Sequence, residues 1–182
     1  MIIKIFNGKK IKTRELSNRD LRNVKKFQDY VNSLVGESAP ILLNKKLSLK
    51  EEKEWLKKEL KEIKNHKRVF LVAEAGEDNK IIGVTGIFLG RNRQSHVGEF
   101  GISVRKGYRG MGLGTYLMGK ILKLAKTELK PRPKIIRLSV YPNNKPAIIL
   151  YKKLCFKRVA RIPKQIEYKG KLIDEIIMLK YV

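Results

Sequence analysis

The run Val104-Arg105-Lys106-Gly107-Tyr108-Arg109-Gly110-Met111-Gly112-Leu113-Gly114 has the residue types of a phosphate cradle. Glycines at 110, 112 and 114 remove side chains where a backbone must approach a ligand, and they tolerate positive φ. Behind them, Tyr116, Leu117, Ile121, Leu124 and Ala125 recur at helical spacing, with Lys120, Lys123 and Lys126 on the opposite side. This pattern predicts a helix over 115–129. A helix beginning in such a loop leaves its first N–H groups unpaired and turns its positive dipole end toward it. Arg105, Lys106 and Arg109 add formal charge beside that end, and the combination attracts phosphate.

Two common glycine motifs do not fit. A dinucleotide fingerprint needs G-x-G-x-x-G and an acidic residue about 20 positions later, whereas Lys134 stands there. A nucleoside-triphosphate loop needs G-x-x-x-x-G-K-[ST], which the chain lacks. The pattern R-x-x-G-x-G from Arg109 to Gly114, after the strand-like Phe100-Gly101-Ile102-Ser103-Val104, instead resembles the coenzyme A pyrophosphate loop of the GCN5-related N-acetyltransferases. The stretch from Val140 to Phe156 is similar to that family's second signature, V-x-x-x-N-x-x-A-x-x-L-Y-x-x-x-G-F, through Val140, Asn144, Ala147, Leu150, Tyr151 and Phe156. Cys155 replaces its glycine, a residue that normally ends the helix in a left-handed conformation.

The resemblance implies a mixed α/β sheet flanked by helices, the acyl-CoA N-acyltransferase fold. It also implies transfer of an acetyl group from acetyl-CoA to a primary amine by direct attack in a ternary complex. Pantetheine and the acetyl group would lie on the strand edge at Ile102, Ser103 and Val104. The pyrophosphate would lie on Arg109, Gly110, Met111, Gly112, Leu113, Gly114 and Thr115, with the Asn144 amide contributing a hydrogen bond. Tyr151 matches the family's general acid, and a phenol with an ordinary pKa of about 10 can protonate a departing thiolate.

Glu99 is the candidate base. It is the only acidic residue between Asp78 and Glu128, and alternation puts it on one strand face with Gly101 and Ser103. The competing reading is a carboxylate that neutralises Arg91 or Arg93. Ser139 holds a position where related enzymes acting on protein amino termini often carry glutamate. His96 and His66 read as structural or solvated, Cys155 as a small buried hydrophobe, and no metal-site spacing exists. The acceptor would meet the segment Val35–Leu42, including Glu37, and the loop near Pro163–Lys169.

Composition sets the wider bounds. A chain of 182 residues with 42% hydrophobic and 32% charged residues suits one globular domain, 1–182, with a cofactor-binding core at about 95–156. The single cysteine excludes an internal disulfide and fits a cytoplasmic setting, and no stretch is apolar enough to span a membrane. A formal charge of +25 concentrates in the coenzyme half, where residues 101–164 hold 17 lysines and arginines against Glu128 alone. That surplus fits an RNA- or ribosome-associated protein of the same fold, although no aromatic-and-basic recognition module accompanies it. A lysine-rich solvated surface explains it more simply. A non-catalytic acyl-CoA sensor is the third reading, and the protein would be a monomer or homodimer.

The elements that must position these residues follow from local signals. Asn7-Gly8 between Ile2–Phe6 and Lys10–Arg14 predicts a hairpin. Ser17 with Asp20 predicts a cap before a helix from Arg19 to about Ser33, and Ser48 caps a second helix to about Lys64. Strands are expected at 69–73, 81–89, about 95–104 and 135–140. A short helix follows at 144–154, and two last strands at 159–162 and 172–179 turn at Lys169-Gly170.

Overall fold

Asn7 and Gly8 take φ of 45° and 75°, the paired positive values of a two-residue hairpin turn, and join β1 (Ile2–Phe6) to β2 (Lys9–Glu15). The computed structural model describes residues 1–182, and this hairpin opens its eight-stranded sheet. Next come α1 (Val24–Gly36), α2 (Leu49–Lys64), β3 (Arg68–Ala75), β4 (Lys80–Leu89) and β5 (Val97–Val104). The chain continues through α3 (Leu113–Glu128), β6 (Ile135–Val140), α4 (Lys145–Lys153), β7 (Lys157–Tyr168) and β8 (Lys171–Tyr181). The strand order is β1-β2-β3-β4-β5-β6-β8-β7, antiparallel throughout except for the parallel pair β5–β6.

Alternation along β3 shows how the sheet is covered. Val69 and Leu71 pack with Met118, Ile121 and Ala125 of α3 on one face. Phe70 and Val72 pack with Phe27, Tyr30 and Leu34 of α1 and Leu56 of α2 on the other. The helices therefore form two layers with the sheet between them. Ser48 caps α2 by a reciprocal box with Glu51, as its spacing predicts.

The first predicted helix is divided. Residues Asn18–Arg22 form a 3-10 turn, and α1 begins only at Val24. The predicted Ser17–Asp20 box forms, but the buried Asp20 carboxylate also accepts from Arg14 at 2.7 and 2.9 Å, and Arg14 reaches Glu74 at 2.6 Å. This tertiary anchor pins the turn to β2 and β3. The last two strands are longer than their apolar runs, since Lys169 and Gly170 (φ 52° and 71°) close a hairpin whose ladder continues beyond them.

Candidate active site

β5 and β6 pair only at Val97↔Ile135, Gly98↔Ile136 and Glu99↔Arg137. Beyond that point β5 stays with β4 as far as Val104, while β6 stays with β8 through Val140. The two strands thus splay apart in the middle of the sheet. Arg105 N–H bonds Ile82 C=O at 2.8 Å, so alternation turns the backbone groups of Ile102 and Val104 away from β4, into the splay. Ser103 is placed differently: its backbone faces β4, and its hydroxyl lies 2.9 Å from the phenol of Tyr30.

The glycine loop follows at the end of β5. Gly107, Gly110 and Gly112 have φ of 85°, 78° and 85°, and an added Cβ would meet no atom within 4 Å at any of them. Bare backbone therefore faces open space along this loop. Leu113 is buried, and Met111 is partly buried against the same cluster as Phe6, Ile11 and Leu117, so their side chains anchor the loop from beneath. The first bond of the following helix runs from Tyr116 N–H to Gly112 C=O, and no acidic side chain occupies its first turn. Gly114 serves a second purpose: a Cβ there would lie 3.3 Å from Leu150, so the glycine lets α3 approach α4. The helix starts at Leu113 rather than 115 because the left-handed Gly112 can itself act as cap.

Arg109 is already engaged, donating to Val104 C=O at 2.6 Å and pairing with Glu37. Glu37 consequently ties the end of α1 to the loop rather than standing free for an acceptor. Thr115 is exposed beside the loop.

A cavity of about 600 Å³ passes through the splay. It brings together Glu99, Ile102, Ser103, Asn144 and Tyr151, whereas Val104 and the loop from Arg109 to Thr115 lie outside its lining, at the end of the same strand. Tyr151 is 6% exposed, edge-on to Phe100 at 6.1 Å, and burial pushes its phenol up to about 12. It remains protonated at neutral pH. Asn144 caps α4, with its side chain accepting from Ala147 N–H at 3.4 Å.

Cys155, expected to be buried, is exposed. With φ of 64° it takes the left-handed position usually held by glycine, and Phe156 N–H to Tyr151 C=O (3.0 Å) completes a Schellman closure. Burial was the wrong expectation because the helix terminus, rather than the side chain's hydrophobicity, dictates where this residue points.

Glu99 pairs with Arg137 at 3.4 Å, rather than with Arg91 or Arg93. Burial raises its pKa, Arg137 opposes that rise, and Glu175 reinforces it. Glu175 also accepts the Ser139 hydroxyl, so β8 supplies a carboxylate beside the serine. His66 bonds Glu128 C=O at 3.0 Å, a structural link between the ends of α2 and α3. No group of three or more His, Cys, Asp or Glu stands arranged to hold a metal, and no helix is long and apolar enough to cross a membrane.

Sequence reasoning missed Glu52. This residue of α2 is 3% exposed and lines the cavity, and burial alone raises its carboxyl to about 7. The signal was present in the spacing: positions 52, 56, 59 and 63 lie on one helical face with buried Leu56.

The splay, the glycine loop and the Asn144–Tyr151 helix are the features that the resemblance to the N-acetyltransferases implies. Residues 39–156 match the model of the Acetyltransferase (GNAT) family, and the chain belongs to that family. The L-amino acid N-acetyltransferase AaaT of Escherichia coli (strain K12) is 32% identical over 90 residues, which cover 50% of this chain and 54% of that protein. The alignment thus spans about half the length of this relative. The GNAT-family acetyltransferase from Streptococcus pneumoniae shares the fold, with a TM-score of 0.80, 22% identity and coverage of 94% and 99% of the two chains. The yncA protein of Salmonella typhimurium, solved with its cofactor acetyl-CoA, superposes with a TM-score of 0.75 at 18% identity, covering 94% and 93%.

Proposed function

We propose that the whole chain, 1–182, is one N-acetyltransferase domain that moves an acetyl group from acetyl-CoA to a primary amine by direct attack in a ternary complex. The observation that carries this reading is the cavity through the β5–β6 splay. It joins an apolar cleft under α1 and α2 to Asn144 and Tyr151 on the far side. Bound acetyl-CoA supplies the activated acyl group as a thioester. Its pyrophosphate is held by the loop from Arg109 to Thr115, where free N–H groups, positive-φ glycines and the start of α3 face outward. Ile102 offers its strand-edge N–H and C=O, and Val104 its N–H, to the pantetheine arm, as in the addition of a strand, and the Asn144 amide adds a contact.

Two side chains manage the protons. Glu99, held near the reacting edge with a pKa raised by burial, takes the proton from the acceptor nitrogen directly or through water. Tyr151, protonated at neutral pH, gives its proton to the departing sulfur. Ser103 orients the cleft wall through Tyr30.

Calorimetric titration with acetyl-CoA, followed by a thiol-release assay over a panel of amines, tests the proposal. Acetyl-CoA binding and amine-dependent thiol release are expected, and Glu99→Gln should remove the acid limb of kcat/KM. Binding without transfer to any amine would favour a non-catalytic sensor, and absence of binding would reject the loop assignment.

A further inference from the structure

The cavity under α1 and α2 has an unbalanced charge pattern. Its walls are largely apolar, including Phe27, Leu34, Trp55 and Phe70, and three charged side chains reach it: Glu52, Arg68 and Glu99. Two of the three are compensated within the protein. Arg68 of β3 pairs with Glu59, and Glu99 of β5 pairs with Arg137 at 3.4 Å. Glu52, 3% exposed on the cavity wall, makes no salt bridge and accepts no hydrogen bond through its side chain. A carboxylate removed from water without a counter-charge is costly, and the side chain nonetheless faces the cavity. Tyr30 of α1 and Tyr141 after β6 also line the space, but neither carries charge at neutral pH.

We infer that Glu52 is the recognition carboxylate for the acceptor's ammonium, and that the cavity selects a small primary amine with an apolar body and no carboxylate. The inference rests on the N-acetyltransferase reading and narrows its acceptor. The counter-charge missing from the wall is one cation, which a monoamine supplies. The apolar side chains take its hydrocarbon body out of water. A free amino acid fits poorly: its carboxylate would enter a largely apolar cleft whose one cavity-lining arginine already pairs with Glu59 through Nε, and would face Glu52 and Glu99. Glu52 holds the ammonium as it enters, and the nitrogen then leaves it for the β5 edge of the same cavity, where Glu99 takes its proton. As the carboxyl ionises, acceptor affinity rises with pH through about 7.

The test titrates 2-phenylethylamine and L-phenylalanine into the full chain saturated with coenzyme A, at about pH 8, for the native protein and Glu52→Gln. The native protein should bind the amine at least about tenfold more tightly than the amino acid, and the variant should lose about ten- to hundredfold in amine affinity. Coenzyme A affinity should stay unchanged in the variant, which also verifies its fold. In turnover, Glu52→Gln should raise KM for the amine, leave kcat near native and flatten the pH dependence of KM. Equal amine binding by the two proteins, equal binding of amine and amino acid, or no binding of either compound would overturn the inference. Amine binding without acetyl transfer would instead count against the catalytic reading and leave the ammonium site standing.

Discussion

Replacing Glu52 by glutamine should stabilise the protein, increasingly as pH rises from 4.5 to about 7 and fully above that. The folded-state carboxyl has its pKa raised from the ordinary 4.5 to about 7 by burial. In the unfolded chain it ionises at its ordinary value, so between these limits the unfolded state holds the charge more readily than the folded state. Stability is therefore lost as pH rises through this window. The cost is absent below it and complete above about 7. At 1.36 kcal/mol for each unit, the cost reaches roughly 3 kcal/mol, which water at the cavity mouth screens to about 2. Glutamine keeps the shape of the side chain and carries no charge. For a chain of this size, about 2 kcal/mol corresponds to a rise in Tm of about 4–8 °C at about pH 8. The difference should shrink toward zero near pH 4.5, the ordinary value. Thermal melts of both proteins across this range measure it. A variant destabilised at high pH, or shifted equally at both ends, would refute the premise of an uncompensated buried carboxylate.

Tyr151→Phe removes the phenol while keeping the ring against Phe100, so kcat should fall about a hundredfold or more with acetyl-CoA affinity nearly intact, as separate turnover and titration experiments can establish. Gly112→Ala forces a side chain into φ of 85° and into the open space beside the loop; it should cost about 1 kcal/mol in a denaturant melt and weaken acetyl-CoA in calorimetry. Cys155→Gly relieves the left-handed strain at φ 64° and should add about 1 kcal/mol of stability in the same melt, with turnover unchanged.

What the sequence revealed was local chemistry. Asn7-Gly8, the Ser48–Glu51 box and the glycine spacing before α3 each carry their geometry within a few residues, and each forms as its pattern implies. The division of the first helix was not legible, because Arg14 of β2 holds Asp20 while also pairing with Glu74 of β3, a contact that only the assembled sheet supplies. Arg109 illustrates the same limit: its charge was legible, but its pairing with Glu37 at the far end of α1 was not. Glu52 was hidden by its setting among the glutamates and lysines of α2, where composition suggests a solvated helix. Spacing puts Glu52 and Glu59 on the face of Leu56, and the packing of that helix on β3 then pairs Glu59 with Arg68 and leaves Glu52 on the cavity wall.

The three residue pairs that join β5 to β6 have a mechanical consequence. The sheet behaves as two plates, one of five strands and one of three, fastened along a short seam at Val97–Glu99 and otherwise bridged by helices. The amides of Ile102 and Val104 should therefore exchange hydrogen as readily as those of an edge strand, although they lie at the centre of the sheet. A ligand that stitches across this gap completes the missing part of the ladder, so occupancy and the rigidity of the sheet become a single property.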